Sequence, residues 1–144
     1  MSKFINTIDL LGDSAVFDAL LEGTLEEFCD DTITYVSNIG FRENKVLKYV
    51  NLPHCQTIDA DAFNYCSSFK TLILSSETMC TLSNTMAFNG TSIKSGTGYI
   101  YVPRALLDTY KVATNWSTFA NQFRALEDYT VDGTVTGELD ESKI

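Results

Sequence analysis

An internal offset of 22 residues constrains the fold more than any other feature of the sequence. Aligning the chain with itself at this offset superimposes apolar side chains at several positions. These are Leu25, Leu47 and Phe69; Phe28, Val50 and Leu72; Val36 and Ile58; and Phe41 and Phe63. Because one such unit is too small to bury its apolar side chains alone, neighbouring units must stack to create a core. The spacing therefore predicts a repeat solenoid.

The predicted fold class is an α/β leucine-rich-repeat solenoid with about three repeats of 22–25 residues and helical caps at both ends. The second repeat is the clearest, and it reads Leu47-x-x-Val50-x-Leu52-Pro53, Ile58, Ala62-Phe63 and Cys66. The third repeat needs two or three extra residues near Glu77–Thr81. After the Gly-rich turn at 94–98, residues 99–102 alternate as a closing strand.

The pattern divides the chain into an N-terminal cap at 1–22, repeats and closing strand at 23–103, a helical C-terminal cap at 104–127, and an acidic tail at 128–144. In the first cap, Asp13 or Ser14 precedes a short helix that Gly23 ends. In the second cap, Trp116 could stack on a ligand. Its place among other aromatic residues favours a role in the core of the cap instead. These neighbours are Tyr110, Phe119 and Phe123.

The tail is predicted to be a separate element. Residues 130–135 place strand-forming side chains on either side of Asp132-Gly133, which favours a two-residue hairpin. A lone hairpin is marginally stable, so it could dock on the chain's own cap, on a second copy or on a larger assembly. Residues 127–144 carry six acids and one Lys, whereas residues 32–126 carry eight bases and five acids. This complementarity allows a homo-oligomer through residues 128–144.

Composition excludes several classes of partner. A net charge of −9 and a pI near 4.4 argue against binding nucleic acid, which requires clustered Lys and Arg. No apolar run approaches the roughly 20 residues that membrane insertion requires. Residues 1–9 reach Asn and Asp too early to hold a signal peptide, so we expect synthesis in the cytoplasm. In that compartment, we expect Cys29, Cys55, Cys66 and Cys80 to be reduced.

Catalytic and metal-binding motifs are weak. His54 and Cys55 could form a base and a nucleophile, but adjacent residues point in different directions, which favours a loop histidine beside a packed thiol. Asp59-Ala60-Asp61 could suggest a cation site, but it matches no calcium loop and is more typical of a turn or helix cap. We therefore predict no enzyme activity, no metal and no cofactor.

Residues between the inward-facing apolar positions should line the outer face of a sheet. They form two rows: Glu27, Tyr49, Thr71 and Tyr99, and then Cys29, Asn51, Ile73 and Tyr101. All of these except Cys29 are candidate contact residues, because tyrosine is enriched at protein interfaces. The alternative is that aromatic and β-branched side chains simply favour strands.

The second repeat, from Leu47 to Cys66, resembles the BspA-like leucine-rich repeat. The ending Gly98–Pro103, with Tyr110-Lys111 and Asn115-Trp116-Ser117, resembles the C-terminal closure of that family. Residues 1–13 and 128–133 look like small repeat proteins of phages and prophages. The first repeat departs from the pattern, with Asp30-Asp31 in place of Leu-Pro and Gly40 in place of Ala.

The resemblance implies a non-enzymatic phage or prophage protein that is structural or tail-associated. Such a protein would be made in the host cytoplasm, become part of the virion, and present its outer sheet face to a protein or a cell surface. The alternative that the family implies is a bacterial surface adhesion module.

Overall fold

The computed structural model describes residues 26–30, 32–38, 40–131 and 134–135, with side chains up to residue 129. The N-terminal cap predicted at 1–22 lies outside the described residues. In chain order the strands are β1 (Glu27–Cys29), β2 (Tyr35–Val36), β3 (Tyr49–Asn51), β4 (Thr57–Ile58), β5 (Thr71–Ile73), β6 (Thr81–Leu82), β7 (Tyr99–Val102), β8 (Phe123–Ala125), β9 (Thr130–Val131) and β10 (Thr134–Val135).

The first eight strands form two parallel sheets. One sheet has five strands in the order β1-β3-β5-β7-β8, and the other has three in the order β2-β4-β6. The chain thus alternates between the two sheets up to β6, and each pass adds one strand to each sheet. β9 and β10 pair antiparallel across residues 132–133, where the sequence predicts a hairpin. None of the helices in the described part of the chain has the length and apolar character that a membrane crossing requires.

Strand pairing in the larger sheet follows the internal offset of the sequence. Glu27 pairs with Tyr49, and Tyr49 pairs with Thr71. Thr71 pairs with Tyr99, after a longer connection that contains a 3₁₀ helix at Thr85–Phe88 and a short α-helix at Ser92–Ser95. Successive passes are also joined at their far turns, where the Phe63 N–H donates to the Ala87 carbonyl at 2.9 Å.

The predicted fold class, an α/β leucine-rich-repeat solenoid with helical caps, is wrong. The structure is an arrangement of two parallel sheets with few helices. Between β1 and β6 the described residues contain no helix, since side chains close the turns locally. Asp30 Oδ1 accepts the N–H groups of Thr32 and Ile33 at 2.6 and 3.0 Å. Such bonds satisfy backbone donors without a helix.

The C-terminal region also differs from a helical cap. One α-helix spans Arg104–Val112, and it is followed by a 3₁₀ helix at Trp116–Gln122 and then by β8. In β8, Phe123 and Ala125 are buried while Arg124 is exposed, which is the alternation of a strand. The four-residue spacing of Phe119 and Phe123 is typical of a helix. A strand also places residues four apart on the same face, so this spacing does not distinguish the two.

The core between the sheets is a stack of aromatic rings. The Phe63 ring lies at centroid distances of 5.2, 4.5 and 5.6 Å from the rings of Phe41, Phe69 and Phe88, and all three pairs are stacked. Each of these four phenylalanines is at most 2% exposed. Phe63 therefore joins three successive passes of the chain.

Polar side chains from the C-terminal region cover the free edge of the smaller sheet beside β6. The Cys80 N–H donates to the Tyr110 hydroxyl at 2.7 Å, and the Trp116 Nε1–H donates to the Cys80 carbonyl at 2.7 Å. Asn115 Nδ2 donates to the Leu82 carbonyl at 2.7 Å. An edge strand otherwise offers unpaired backbone groups to other chains, so these bonds both close the edge and anchor the helix.

Tyr110→Phe is expected to lower the free energy of unfolding by about 1–3 kcal/mol, because it leaves the Cys80 N–H buried without an acceptor. Burial raises the pKa of Tyr110 to about 12, so the hydroxyl is neutral near pH 7. Urea unfolding at pH 7 would measure the loss. Tyr65→Phe is the control, because it also removes one hydroxyl but does so from an exposed side chain. It should change the free energy of unfolding by less than about 0.5 kcal/mol. Similar values for the two variants would contradict the edge-closing role.

Candidate binding face

The candidate face is the side of the five-stranded sheet that points away from the phenylalanine stack. Val50, Leu72 and Ile100 point into the core and are fully buried. The residues on either side of them in each strand point the other way. We call Glu27, Tyr49, Thr71 and Tyr99 the first row, and Cys29, Asn51, Ile73 and Tyr101 the second row.

The first row is largely accessible. Glu27 is exposed, Thr71 and Tyr99 are half-buried, and Tyr49 is only 8% exposed. The Arg124 guanidinium carbon lies 4.6 Å from the centroid of the Tyr99 ring, so a cation stacks on this tyrosine. The accessible part of the row thus combines an acid, a hydroxyl and a stacked Tyr–Arg pair.

The second row is mostly buried. Cys29 is 2% exposed, and Asn51 and Ile73 are 0% exposed, whereas Tyr101 is half-buried. The expectation that both rows are exposed on the outer face is therefore wrong for four residues: Cys29, Tyr49, Asn51 and Ile73. Their residue types and strand positions could not reveal this, because part of the cover comes from a distant part of the sequence.

A short segment that follows β8 covers part of the second row. Leu126 and Tyr129 pack against a cluster formed by Cys29, Tyr49 and Ile73 together with Tyr101. The Tyr129 ring meets the Tyr101 ring edge-on at a centroid distance of 4.7 Å. We call residues Leu126–Tyr129 the strap. The strap is a site feature that the sequence pattern did not predict.

The acidic residues of the strap bind the start of the helix Arg104–Val112. Glu127 Oε1 accepts the Arg104 N–H at 3.0 Å, and Asp128 Oδ1 pairs with Arg104 Nη2 at 2.7 Å. Pro103 precedes this helix and offers it no side-chain cap, so the Glu127 carboxylate takes that place. Two acids lie between the apolar residues Leu126 and Tyr129. This arrangement is the signal that could have indicated a segment with one buried, apolar side and one charged side.

The hydroxyls of Tyr49 and Tyr101 stay neutral near pH 7. Burial raises the pKa of Tyr49 and of Tyr101 above the ordinary value of a tyrosine. These two hydroxyls can therefore donate and accept hydrogen bonds, but they are poorly placed to lose a proton.

The Asn51 side chain is fully buried on this face. Its hydrogen bond with the Tyr49 side chain lowers the pKa of that tyrosine, against the larger opposing effect of burial.

Most of the other candidate residues are buried or hydrogen-bonded within the fold. Cys55 is buried and donates to the Thr57 carbonyl at 3.4 Å, while His54 is exposed.

Asp59 accepts from the Tyr35 hydroxyl and from the Ala60 N–H, and Asp61 accepts from Asn64 at 3.2 Å. Within the described residues, no group of three or more His, Cys, Asp and Glu is placed to hold a metal ion. Trp116 is 1% exposed and lies in the closing core.

No family model matches the chain, and neither the curated proteins nor the solved structures contain a significant match. The resemblance to BspA-like proteins thus stays a prediction that rests on the residues quoted for it.

Proposed function

We propose that this protein is a non-enzymatic binding protein that presents the accessible part of the five-stranded sheet to a protein or cell-surface ligand. The observation that carries the proposal is the accessible Tyr99 beside Tyr101, with Arg124 stacked on its ring. Tyrosine and arginine supply a large share of binding energy at interfaces, because they combine broad apolar contact with hydrogen bonding. Glu27 and Thr71 extend this surface along the first row.

The surroundings of the cysteine and aspartate side chains support a function without catalysis. The buried Cys55 thiol is directed to a carbonyl, and contact with Cys55 together with burial raises the pKa of the Cys80 thiol. The Cys80 thiol is therefore a poor nucleophile, since the thiolate is the reactive form. Asp59 and Asp61 act within turns.

The setting that we propose is a phage or prophage protein, structural or tail-associated, that is made in the host cytoplasm and becomes part of the virion. The support is the resemblance of residues 1–13 and 128–133 to small repeat proteins of phages and prophages. Its alternative is a bacterial surface adhesion module. Self-association through residues 128–144 belongs to the same proposal and rests on their acidic excess.

Site-specific photocrosslinking tests both the face and the setting. A benzophenone amino acid replaces Tyr99 in one variant and Tyr65 in the control variant, since Tyr65 is exposed but is not part of the face. The variants are produced in an induced lysogen and irradiated. A product specific to position 99 supports the face, and its identity as a tail protein or an envelope component decides between the settings. Identical products from both positions, or none from position 99, would contradict the face.

A further inference from the structure

We propose that Cys55 and Cys80 are a modification site, at which the two thiols join as a disulfide under oxidising conditions. The inference goes beyond the proposed function and does not depend on it, since it concerns a reaction of the fold itself. A virion that has left its host cell meets such conditions, whereas the cytoplasm keeps thiols reduced.

Two successive passes of the chain bring these thiols into contact beside the smaller sheet. The Cys80 Sγ–H donates to Cys55 Sγ at 3.8 Å, although the two residues are 25 positions apart. Their backbones are held side by side, because the Thr81 N–H donates to the Gln56 carbonyl at 2.8 Å. A disulfide holds its two sulfur atoms about 2 Å apart. The sulfurs therefore need to approach each other by about 2 Å, while the strand pairing stays in place.

The other two cysteines lie in different surroundings. The Cys66 Sγ–H donates to the Phe41 carbonyl at 2.9 Å. Cys29 belongs to the separate cluster on the outer side of the larger sheet. Cys55 and Cys80, in contrast, share the core between the sheets and contact each other there. The fold therefore favours one pairing among the four cysteines.

Formation of the bond requires an oxidant, for which a low-molecular-weight disulfide suffices. The thiolate of one cysteine attacks a sulfur of the oxidant and releases one thiol, which leaves a mixed disulfide. The thiolate of the second cysteine then attacks the protein sulfur of the mixed disulfide and releases a second thiol. The two cysteines lose two protons and two electrons in total, and the oxidant is reduced to two thiols.

Burial makes this reaction slow in the closed protein. Cys55 and Cys80 are 1% and 2% exposed, so an oxidant reaches them when this part of the fold opens locally. The hydrogen bond with the Cys55 thiol, followed by burial, raises the pKa of the Cys80 thiol, so little of its thiolate exists near pH 7. The pair therefore resists brief contact with an oxidant and closes during prolonged exposure.

The bond would lock the place where the C-terminal region closes the smaller sheet. The Tyr110 hydroxyl accepts the Cys80 N–H, and the Trp116 indole donates to the Cys80 carbonyl. A link to Cys55 restricts the unfolded chain and holds both of these backbone groups at the edge of the sheet. Oxidation should therefore raise the melting temperature by about 5–10 °C.

The test uses the purified full-length chain and oxidised glutathione. A fully reduced sample is held with the oxidant at mildly alkaline pH, and its remaining thiols are counted after unfolding. The unaltered chain should lose two of its four thiols and two hydrogen atoms of mass, with no glutathione attached, and should gain thermal stability. A native chain that keeps all four thiols, or whose oxidised form melts no higher than the reduced form, would overturn the proposal.

Two variants assign the bond. No Lys or Arg lies between Cys55 and Cys66, so trypsin leaves both in one peptide, and Cys66→Ala removes this ambiguity. Oxidised Cys66→Ala should yield peptide 49–70 joined to peptide 71–94. Cys55→Ala is the matched control and should gain no thermal stability with the oxidant; if it does not unfold cooperatively, Cys80→Ala replaces it. A link that uses another cysteine in place of either one, or an equal gain in the control, would overturn the assignment.

Discussion

Phe63→Ala is expected to lower the free energy of unfolding by about 3–5 kcal/mol. The Phe63 side chain is 0% exposed, and its ring stacks on Phe41 of the preceding pass and Phe88 of the following one. Truncation removes the apolar burial and these ring contacts, and it leaves a cavity that the flanking sheets cannot readily close. Small domains have a total stability of about 5–15 kcal/mol, so the effect is large.

Thr71→Ala is the control for this prediction. Thr71 lies on the outer side of β5 and is half-buried, so its replacement should cost less than about 1 kcal/mol. Urea unfolding followed by far-ultraviolet circular dichroism gives both values. Equal destabilisation by the two substitutions would mean that Phe63 is not at the centre of the core.

Strand register is the part of the fold that the sequence could predict. Val50 and Leu72 pair directly, as the internal offset places them, because apolar side chains of successive passes must meet in one core. The fold class that we predicted from this register, a leucine-rich-repeat solenoid with helical caps, was nevertheless wrong. Local side chains such as Asp30 and Asn44 decide whether a connection is a helix or a turn, and an apolar pattern is insensitive to them.

The left-handed backbone positions were also beyond the sequence pattern. Glu43, Tyr65 and Gly90 have φ values of 65°, 62° and 80°, and they occupy equivalent turns of successive passes. Only one of the three is a glycine, the residue that signals such a conformation. The N–H groups of Glu43 and Tyr65 donate to Asn64 and Asn89 carbonyls at 2.8 and 2.7 Å, so pairing between passes holds these residues there.

The covered half of the candidate face required the tertiary structure. Sequence alternation placed Ile73 on the outer side of the sheet, but Leu126 and Tyr129 of the strap pack on the cluster that contains it, and they lie more than fifty positions away along the chain. Edge closure by Tyr110 and Trp116 has the same origin, since hydroxyl and indole donors find backbone partners only after the helix has docked. Contacts between residues so far apart in the chain produce no periodic pattern in the sequence.

Gly98→Ala is expected to lower the free energy of unfolding by about 2–3 kcal/mol, in the upper part of the range for overpacked sites. A Cβ at Gly98 would lie 2.7 Å from the Lys70 carbonyl oxygen and 2.9 Å from both the N and Cγ1 of Ile93. Two of these three atoms belong to the backbone, so a side-chain rotation cannot relieve the contact. The Lys70 carbonyl also accepts the Tyr99 N–H at 2.8 Å, so a shift of the chain would strain the pairing of β5 with β7.

Gly96→Ala separates this packing effect from the ordinary penalty of replacing a glycine. Gly96 has a φ of 98° but no atom within 4 Å of its added Cβ, so the substitution should cost only about 1 kcal/mol through backbone strain. Thermal and urea unfolding would rank the two variants, and hydrogen exchange at the Tyr99 amide should accelerate in Gly98→Ala alone. A Gly98→Ala variant no less stable than Gly96→Ala would show that the β5–β7 junction has room for a methyl group, and that the close approach of these strands does not depend on glycine.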